Sequence, residues 1–407
     1  MAAENEANEK TKGKKIDGGS VSRKFTTDSV HGHEYYDQKL GLFKVPIYMT
    51  AVWEQFDRNT GDPRRTDRDL DLKYSREENV TVNSLEKALS KLEKSEDALA
   101  FNSGMSALST VYLATLKVND TILISKESYG TTQQLANHME KFGIKTVLAG
   151  PETDQLVESI NKNVNLVIVE TITNPLLKVI DVAAVAKRCS EVGSKLVVDN
   201  TFASPVLLKP QKHGAWLTLH SLTKYIGGHN DVIGGSVASD KGTIKDLWDW
   251  RRKLGSIMNP FEAFLIIRSL PTLKLRFTQQ SETAKVLAEF LEDNSKVREV
   301  FYPGLNNSPY RSIADKIFSE RMYGGVLSFK LKEGREGVFK FFKRTKIIKS
   351  SPSLGGTESL ATFPLLSAAS TMAPEVQKEL GISEDLIRLS VGLEDAEDLK
   401  EDIEQAL

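Results

Sequence analysis

Between residues 97 and 239 the chain alternates short apolar runs with amphipathic stretches, and this pattern limits the fold more than any other feature. The runs are DALAFN (97–102), TILIS, KTVLAG, NLVIVE, KLVVDN and GGSVAS (234–239). Between them, SALSTVYLATLK, TTQQLANHMEKFG and DVAAVAKRCSEVG repeat apolar residues at helical spacing, and the last two run into a glycine stop. Buried strands joined by helices predict a mostly parallel sheet covered on both faces, an α/β class.

The flanks read differently. VNSLEKALSKLEKSE (82–96) has helical periodicity, whereas the segment before it mixes VPIYMTAVW with the polar run NTGDPRRTDRD, as an extended arm would. Beyond Pro271 a long helical run, TLKLRFTQQSETAKVLAEFLEDN, precedes the strand-like GGVLSFKL, IIKSS and LIRLSV, so a smaller α+β unit is expected there. The 407 residues exceed the size at which one core usually stops growing. The expected organisation is a disordered tail at 1–15, an N-terminal arm at 16–75, an α/β domain at 76–270 and an α+β domain at 271–407. The tail reading rests on its Glu, Asn and Lys content, with almost nothing to bury.

Charge and cysteine usage narrow the function classes. With 54 basic against 55 acidic residues no field gathers nucleic acid. No window approaches the roughly 18 to 20 apolar residues that span a bilayer, and the first residues lack a signal peptide's apolar core, so a soluble, cytoplasmic protein without membrane contact is expected. The single cysteine, Cys189, excludes an internal disulfide framework and any cysteine metal cluster. His220 and His229 read as structural histidines, and no metal site is expected.

Three local patterns point to chemistry. WLTLHSLTKYIGGHND places Lys224 after the hydroxyls of Ser221 and Thr223 and before Gly227 and Gly228. A desolvated lysine loses its proton near neutral pH and becomes a nucleophile, and adjacent hydroxyls can bind an anion. KLVVDNTF ends an apolar strand on Asp199, where open α/β sheets place their ligands. DALAFNSGMSALSTVYL runs from strand through a turn at Gly104 into a helix beginning near Met105, whose first amides form an anion site. It lacks the lysine of a P-loop and the spaced glycines of a dinucleotide fingerprint. Taken singly, each pattern also fits a plain structural role: a salt-bridged lysine, a capping aspartate, an ordinary strand-to-helix turn.

Taken together, the chain resembles the Cys/Met-metabolism enzymes dependent on pyridoxal phosphate (PLP), the group of cystathionine γ-synthase, cystathionine γ-lyase, methionine γ-lyase and O-acylhomoserine sulfhydrylase. The likeness runs from about Pro46 to the C-terminus through YSR, NSGMSA, SYG, ETITNP, VDNTF, HSLTKYIGGHND, SLGGTESL and IRLSVGLED in the family's order. It implies PLP fold type I and a homotetramer built from dimers. It also implies that Lys224 is the Schiff-base lysine and Asp199 the partner of the pyridine nitrogen. Gly104, Met105, Ser221 and Thr223 would bind the phosphate, and Tyr129 would stack on the ring. Tyr74 and Arg76 would reach the phosphate of a neighbouring subunit, Tyr74 lying near the reacting amino group as well. Arg388, with Ser353 and Asn174, would hold the substrate α-carboxylate, a task suited to a bidentate arginine.

The implied activity is γ-elimination or γ-replacement on cystathionine or an O-activated homoserine. The alternatives are an O-acylhomoserine sulfhydrylase, a methionine γ-lyase and, more remotely, a non-catalytic PLP-binding protein. Three positions depart from the family pattern. Pro352 stands where many cystathionine γ-synthases and γ-lyases carry glutamate, Thr131 where methionine γ-lyases typically carry cysteine, and Val80 where a proline follows YSRxxN.

Overall fold

The computed structural model describes residues 23–35, 40–66 and 68–407. The disordered-tail reading of 1–15 lies outside those residues.

Seven strands form the larger sheet: β1 (Asp97–Phe101), β2 (Thr121–Ser125), β3 (Lys145–Ala149), β4 (Leu166–Glu170), β5 (Lys195–Asp199), β6 (Leu217–Ser221) and β7 (Gly235–Ser239). Their order is β1-β7-β6-β5-β4-β2-β3. Only β7 runs against its neighbours, pairing antiparallel with both β1 and β6, while the remaining pairs are parallel. The sheet is thus mostly parallel, as the apolar runs predicted. Six of its strands coincide with those runs. β6 was not among them, because Thr218 and His220 interrupt its apolar residues.

Alternate residues of each central strand belong to different cores. Leu99, Ile122, Ile168, Val197 and Leu219 pack with Leu108, Val111 and Tyr112 of the helix Gly104–Thr115. Ala98, Leu123, Val167, Val169, Leu196 and Val198 face the other way, against Val82, Leu85 and Leu89 of the helix Val80–Glu93. Burial on both faces is why these strands carry continuous apolar runs rather than alternation. The same alternation directs Glu170, Asp199 and Ser221, each two residues beyond a member of the first core, toward the face of the Gly104 helix.

A smaller sheet has the order β10-β11-β12-β9-β8, from β8 (Val297–Phe301), β9 (Val326–Leu331), β10 (Lys349–Ser350), β11 (Leu360–Thr362) and β12 (Leu386–Ser390). Only β10 and β11 pair in parallel. The sequence pattern does not mark β8 and β11: VREVF mixes charges into its pattern and LAT is three residues long. The helix Leu273–Glu292 packs against β8 and β9, and its Phe277, Ala284 and Leu287 join the core shared with β5 and β9.

The segment read as an extended arm folds back on itself through bridges of Val52 with Tyr74, Phe56 with Pro63 and Arg65 with Asp71. Arg68 pins it to β1, lying 2.9 Å from buried Glu86 and 3.0 Å from Asp97. Among the described residues no helix is long and apolar enough to cross a membrane, and no group of three or more His, Cys, Asp or Glu is arranged to hold a metal ion.

Candidate active site

Strand order decides where a cleft opens. The chain leaves β2 toward the sheet edge at β3, then returns to β4 and proceeds the other way through β5 and β6. Connections that diverge on either side of β2 and β4 leave a crevice beyond their carboxyl ends. A cavity of about 560 Å³ occupies that crevice, lined by Gly104, Met105, Tyr129, Glu170, Asn174, Asp199, Ser221, Thr223, Lys224, Ser353 and Arg388 among others. All the residues expected to bind cofactor or substrate are therefore brought together except Tyr74 and Arg76.

The floor is the end of β6 and the turn after it. Ser221 N–H donates to Thr201 Oγ1 at 2.9 Å, and the Thr223 hydroxyl accepts from Gly234 N–H at 3.1 Å. Gly228 N–H donates to Lys224 O at 2.7 Å, which closes the turn. Gly228 has φ +69°, and a Cβ there would sit 1.8 Å from the Arg276 guanidinium, which donates to Tyr225 O from beneath. The Gly-Gly pair is thus needed for the shape of the lysine turn. Lys224 Nζ donates to Ser353 Oγ at 3.0 Å, and burial, aided by the charge of Arg388, pulls its pKa down to about 8.

Beside the lysine, Ser103 caps the Gly104 helix: its hydroxyl accepts Ser106 N–H at 3.1 Å while Ser106 returns the bond. The helix starts at Gly104, one residue earlier than read from sequence. This turn lies so close to β7 that a Cβ on Gly235 would fall 2.2 Å from Ser103 O. First-turn amides of a twelve-residue helix therefore open on the cavity beside Ser221.

Asp199 ends β5 and lies inside the protein with surface on the cavity. Burial raises its pKa, while the Thr201 side chain and Thr201 N–H, 3.0 Å from Oδ1, favour the charged form. Tyr129, half-exposed over the crevice, begins the helix Gly130–His138, and its N–H donates to Glu170 Oε1 at 2.6 Å. On the opposite wall Arg388 of β12 is 2% exposed. Nη1 donates to Asn174 Oδ1 at 3.0 Å, and Nη2 donates to Pro352 O and Ser353 O at 2.7 and 3.1 Å. Burial lowers its pKa to about 10, so it stays cationic at neutral pH.

Tyr74 and Arg76 stand away from this cavity. Tyr74 is 41% exposed, the Arg76 guanidinium lies 5.2 Å from its ring centroid, and Arg76 donates to Arg252 O. His220 Nε2 is 2.5 Å from Glu93 Oε1 and His229 Nδ1 is 2.8 Å from Gly227 O, both directed outside the cavity lining. Glu170 and Thr201 line the cavity but were not singled out. The signal that marks them is their place in the motifs ETITNP and VDNTF, from which the resemblance assigns roles to Asn174 and Asp199 alone.

The sequence model of the Cys/Met metabolism PLP-dependent enzymes matches residues 26–407. Cystathionine gamma-synthase of Mycobacterium tuberculosis is 37% identical over 384 residues, covering 94% of this chain and 96% of that protein. Cystathionine gamma-lyase of Bacillus subtilis is 35% identical over 381 residues, with 93% and 97% covered. The crystal structure of cystathionine gamma synthase from Xanthomonas oryzae pv. oryzae, in complex with aminoacrylate and cysteine, matches with a TM-score of 0.88 at 34% identity over 94% of this chain and 97% of that one. A likeness of this extent, running through both sheets and every wall of the cavity, makes the chain a member of the Cys/Met metabolism PLP-dependent enzymes.

Proposed function

We propose that this chain is a trans-sulfuration enzyme catalysing γ-elimination or γ-replacement on cystathionine or an O-activated homoserine. The observation that carries the reading is the shared wall of Lys224, Ser353 and Arg388. A buried amine bonded to Ser353 Oγ stands next to a buried guanidinium bonded to Ser353 O, so one α-amino acid can meet a base and a carboxylate anchor together.

The residues fit PLP. Lys224 is the amine that would hold it, Asp199 the anion for its ring nitrogen, and Tyr129 the ring to stack on it. Ser221, Thr223 and the amides of Gly104 and Met105 are the donors for its phosphate. When bound, PLP supplies an electron sink for charge developing on the substrate carbons. The chain's part is proton transfer and orientation. Arg388 and Asn174 fix the carboxylate and so aim the Cα–H bond. Lys224 Nζ, neutral above about pH 8, takes the proton from Cα, would hand it on to C4′ of bound PLP, and, neutral again, takes one from Cβ. After the γ-substituent departs, a thiol replaces it, or water hydrolyses the remainder and a 2-oxo acid and ammonia leave.

A second reading rests on the distal wall. Pro352 lines the cavity where many cystathionine enzymes carry glutamate, which favours a compact uncharged γ-substituent and an O-acylhomoserine sulfhydrylase, while Thr131 in place of cysteine argues against a methionine γ-lyase, the remaining alternative. Incubating the purified protein separately with cystathionine, with methionine, and with O-acylhomoserine plus cysteine or sulfide, then identifying products by mass spectrometry, decides between them. 2-Oxobutyrate and cysteine from cystathionine establish γ-lyase activity, and absence of bound PLP refutes the whole reading.

Homotetrameric assembly, a dimer of dimers, belongs to the same proposal. Tyr74 and Arg76 are exposed beside each other and outside their own chain's cavity, which suits a role in a neighbour's. A fully active monomer in light scattering refutes it.

A further inference from the structure

Glu170 is a cavity residue to which the proposed chemistry gives no task. It ends β4 as the register partner of Asp199 on β5, and both side chains follow the face of Ile168 and Val197, so two carboxyl groups stand side by side. Glu170 is 7% exposed. Its Oε1 accepts Tyr129 N–H at 2.6 Å, while its Oε2 is buried with no partner. An ionised carboxylate with one oxygen bare of donors and a second carboxylate alongside is an expensive arrangement, and a neutral carboxylic acid there costs less.

The charged groups that face it come from three elements: Asp199 from β5, Glu127 from the loop after β2, and Arg388 from β12. Glu127 is committed elsewhere, accepting from Thr173 Oγ1 at 2.9 Å and from Leu176 N–H at 2.8 Å with Lys178 Nζ at 3.5 Å. Arg388 spends both terminal nitrogens on Asn174, Pro352 and Ser353. With Asp199 alongside, the pKa of Glu127 itself raised to about 7 by burial, and the terminal nitrogens of Arg388 engaged, Glu170 has no counter-charge of its own.

We infer that Glu170 is a neutral positioning residue: a protonated carboxylic acid that fixes the Tyr129 backbone through one oxygen and leaves Asp199 as the anion on that wall. This rests on the reading that the cavity takes PLP, since a lone anion at Asp199 is what a cationic ring nitrogen requires. Burial first, and the neighbouring Asp199 second, push the Glu170 pKa well above the carboxylate range. Asp199 has Thr201 N–H and hydroxyl bonds that favour its charge, so the proton of the pair resides on Glu170.

Glu170→Gln and Glu170→Ala, compared in PLP retention and in apoprotein melting against pH, test this. Gln keeps a neutral group and the Tyr129 bond, so PLP affinity stays within about threefold of wild type; Ala loses that bond and weakens PLP by about tenfold. Because the folded-state pKa exceeds the unfolded one, the stability due to Glu170 is complete below the ordinary glutamate pKa and is lost as pH rises through the folded value. Glu170→Gln has no such loss, and its melting temperature therefore gains on wild type as pH rises. The inference is overturned if Gln loses PLP as severely as Ala, if Ala retains PLP like wild type, or if the melting curves of Gln and wild type stay parallel across pH. Should Ala fail to fold, the Gln arm alone decides. A wild-type protein that binds no PLP refutes the reading of the cavity, and the apoprotein melting comparison still judges whether Glu170 is neutral.

Discussion

Lys224 Nζ lies 3.0 Å from Ser353 Oγ, so the amine carried on the larger sheet is held by a hydroxyl carried beside the smaller one. Arg388, bonded to the carbonyl of the same serine, ties β12 into that contact. The proposed base and the proposed carboxylate anchor thus share a support, and a shift of either sheet moves both.

Replacing Lys224 with alanine removes the amine that the proposed chemistry uses twice. The protein is expected to lose the yellow absorbance of lysine-bound PLP and about 10²- to 10⁴-fold in kcat. Absorbance spectroscopy and steady-state assays on the same preparation check it.

The lowered pKa of Lys224 sets a pH dependence for capture of an aldehyde by the apoprotein. The neutral amine grows as pH rises through about 8, so the rate of PLP uptake increases between about pH 7 and 9 and then levels. Since Arg388 contributes to the lowering, Arg388→Gln moves that midpoint upward. Stopped-flow absorbance measures both, and an unchanged midpoint in the variant contradicts the coupling.

Arg388→Lys keeps the charge but loses the fork that donates simultaneously to Asn174, Pro352 and Ser353. KM is expected to rise by about 10- to 100-fold, the equivalent of roughly 1.5 to 3 kcal/mol, with a smaller fall in kcat. Steady-state kinetics across substrate concentration separates the two.

Arg76→Ala and Lys224→Ala chains are each expected to be inactive alone, yet active as hybrids when co-expressed. One chain then offers an intact lysine and its neighbour an intact arm. Purification with two different tags followed by assay tests this, and inactive hybrids contradict the crossing of the arm.

Cys189 is buried in the helix Val182–Val192, and burial pushes its thiol up to about 12. Thiol reagents should leave the native protein unmodified and add once per chain in denaturant, as mass spectrometry would report.

The sequence by itself determined the α/β class, because strands buried on both faces need unbroken apolar runs, and that demand is local and visible in TILIS, LVIVE and LVVD. It also picked out Lys224, Asp199 and the turn at Gly104, through a lysine hemmed by hydroxyls and glycines, an acid at a strand end and a strand-to-helix turn. β6 is not legible because its Thr218 and His220 are buried, His220 against Glu93, a circumstance that no window along the chain contains. Glu170 and Thr201 acquire their places only from register: β4 beside β5 sets one carboxyl group against another, and β5 beside β6 brings Thr201 to Ser221. Tertiary structure alone decided these, since burial, charge neighbours and hydrogen-bond partners arise between segments far apart in the chain, and those set which carboxyl group keeps a proton.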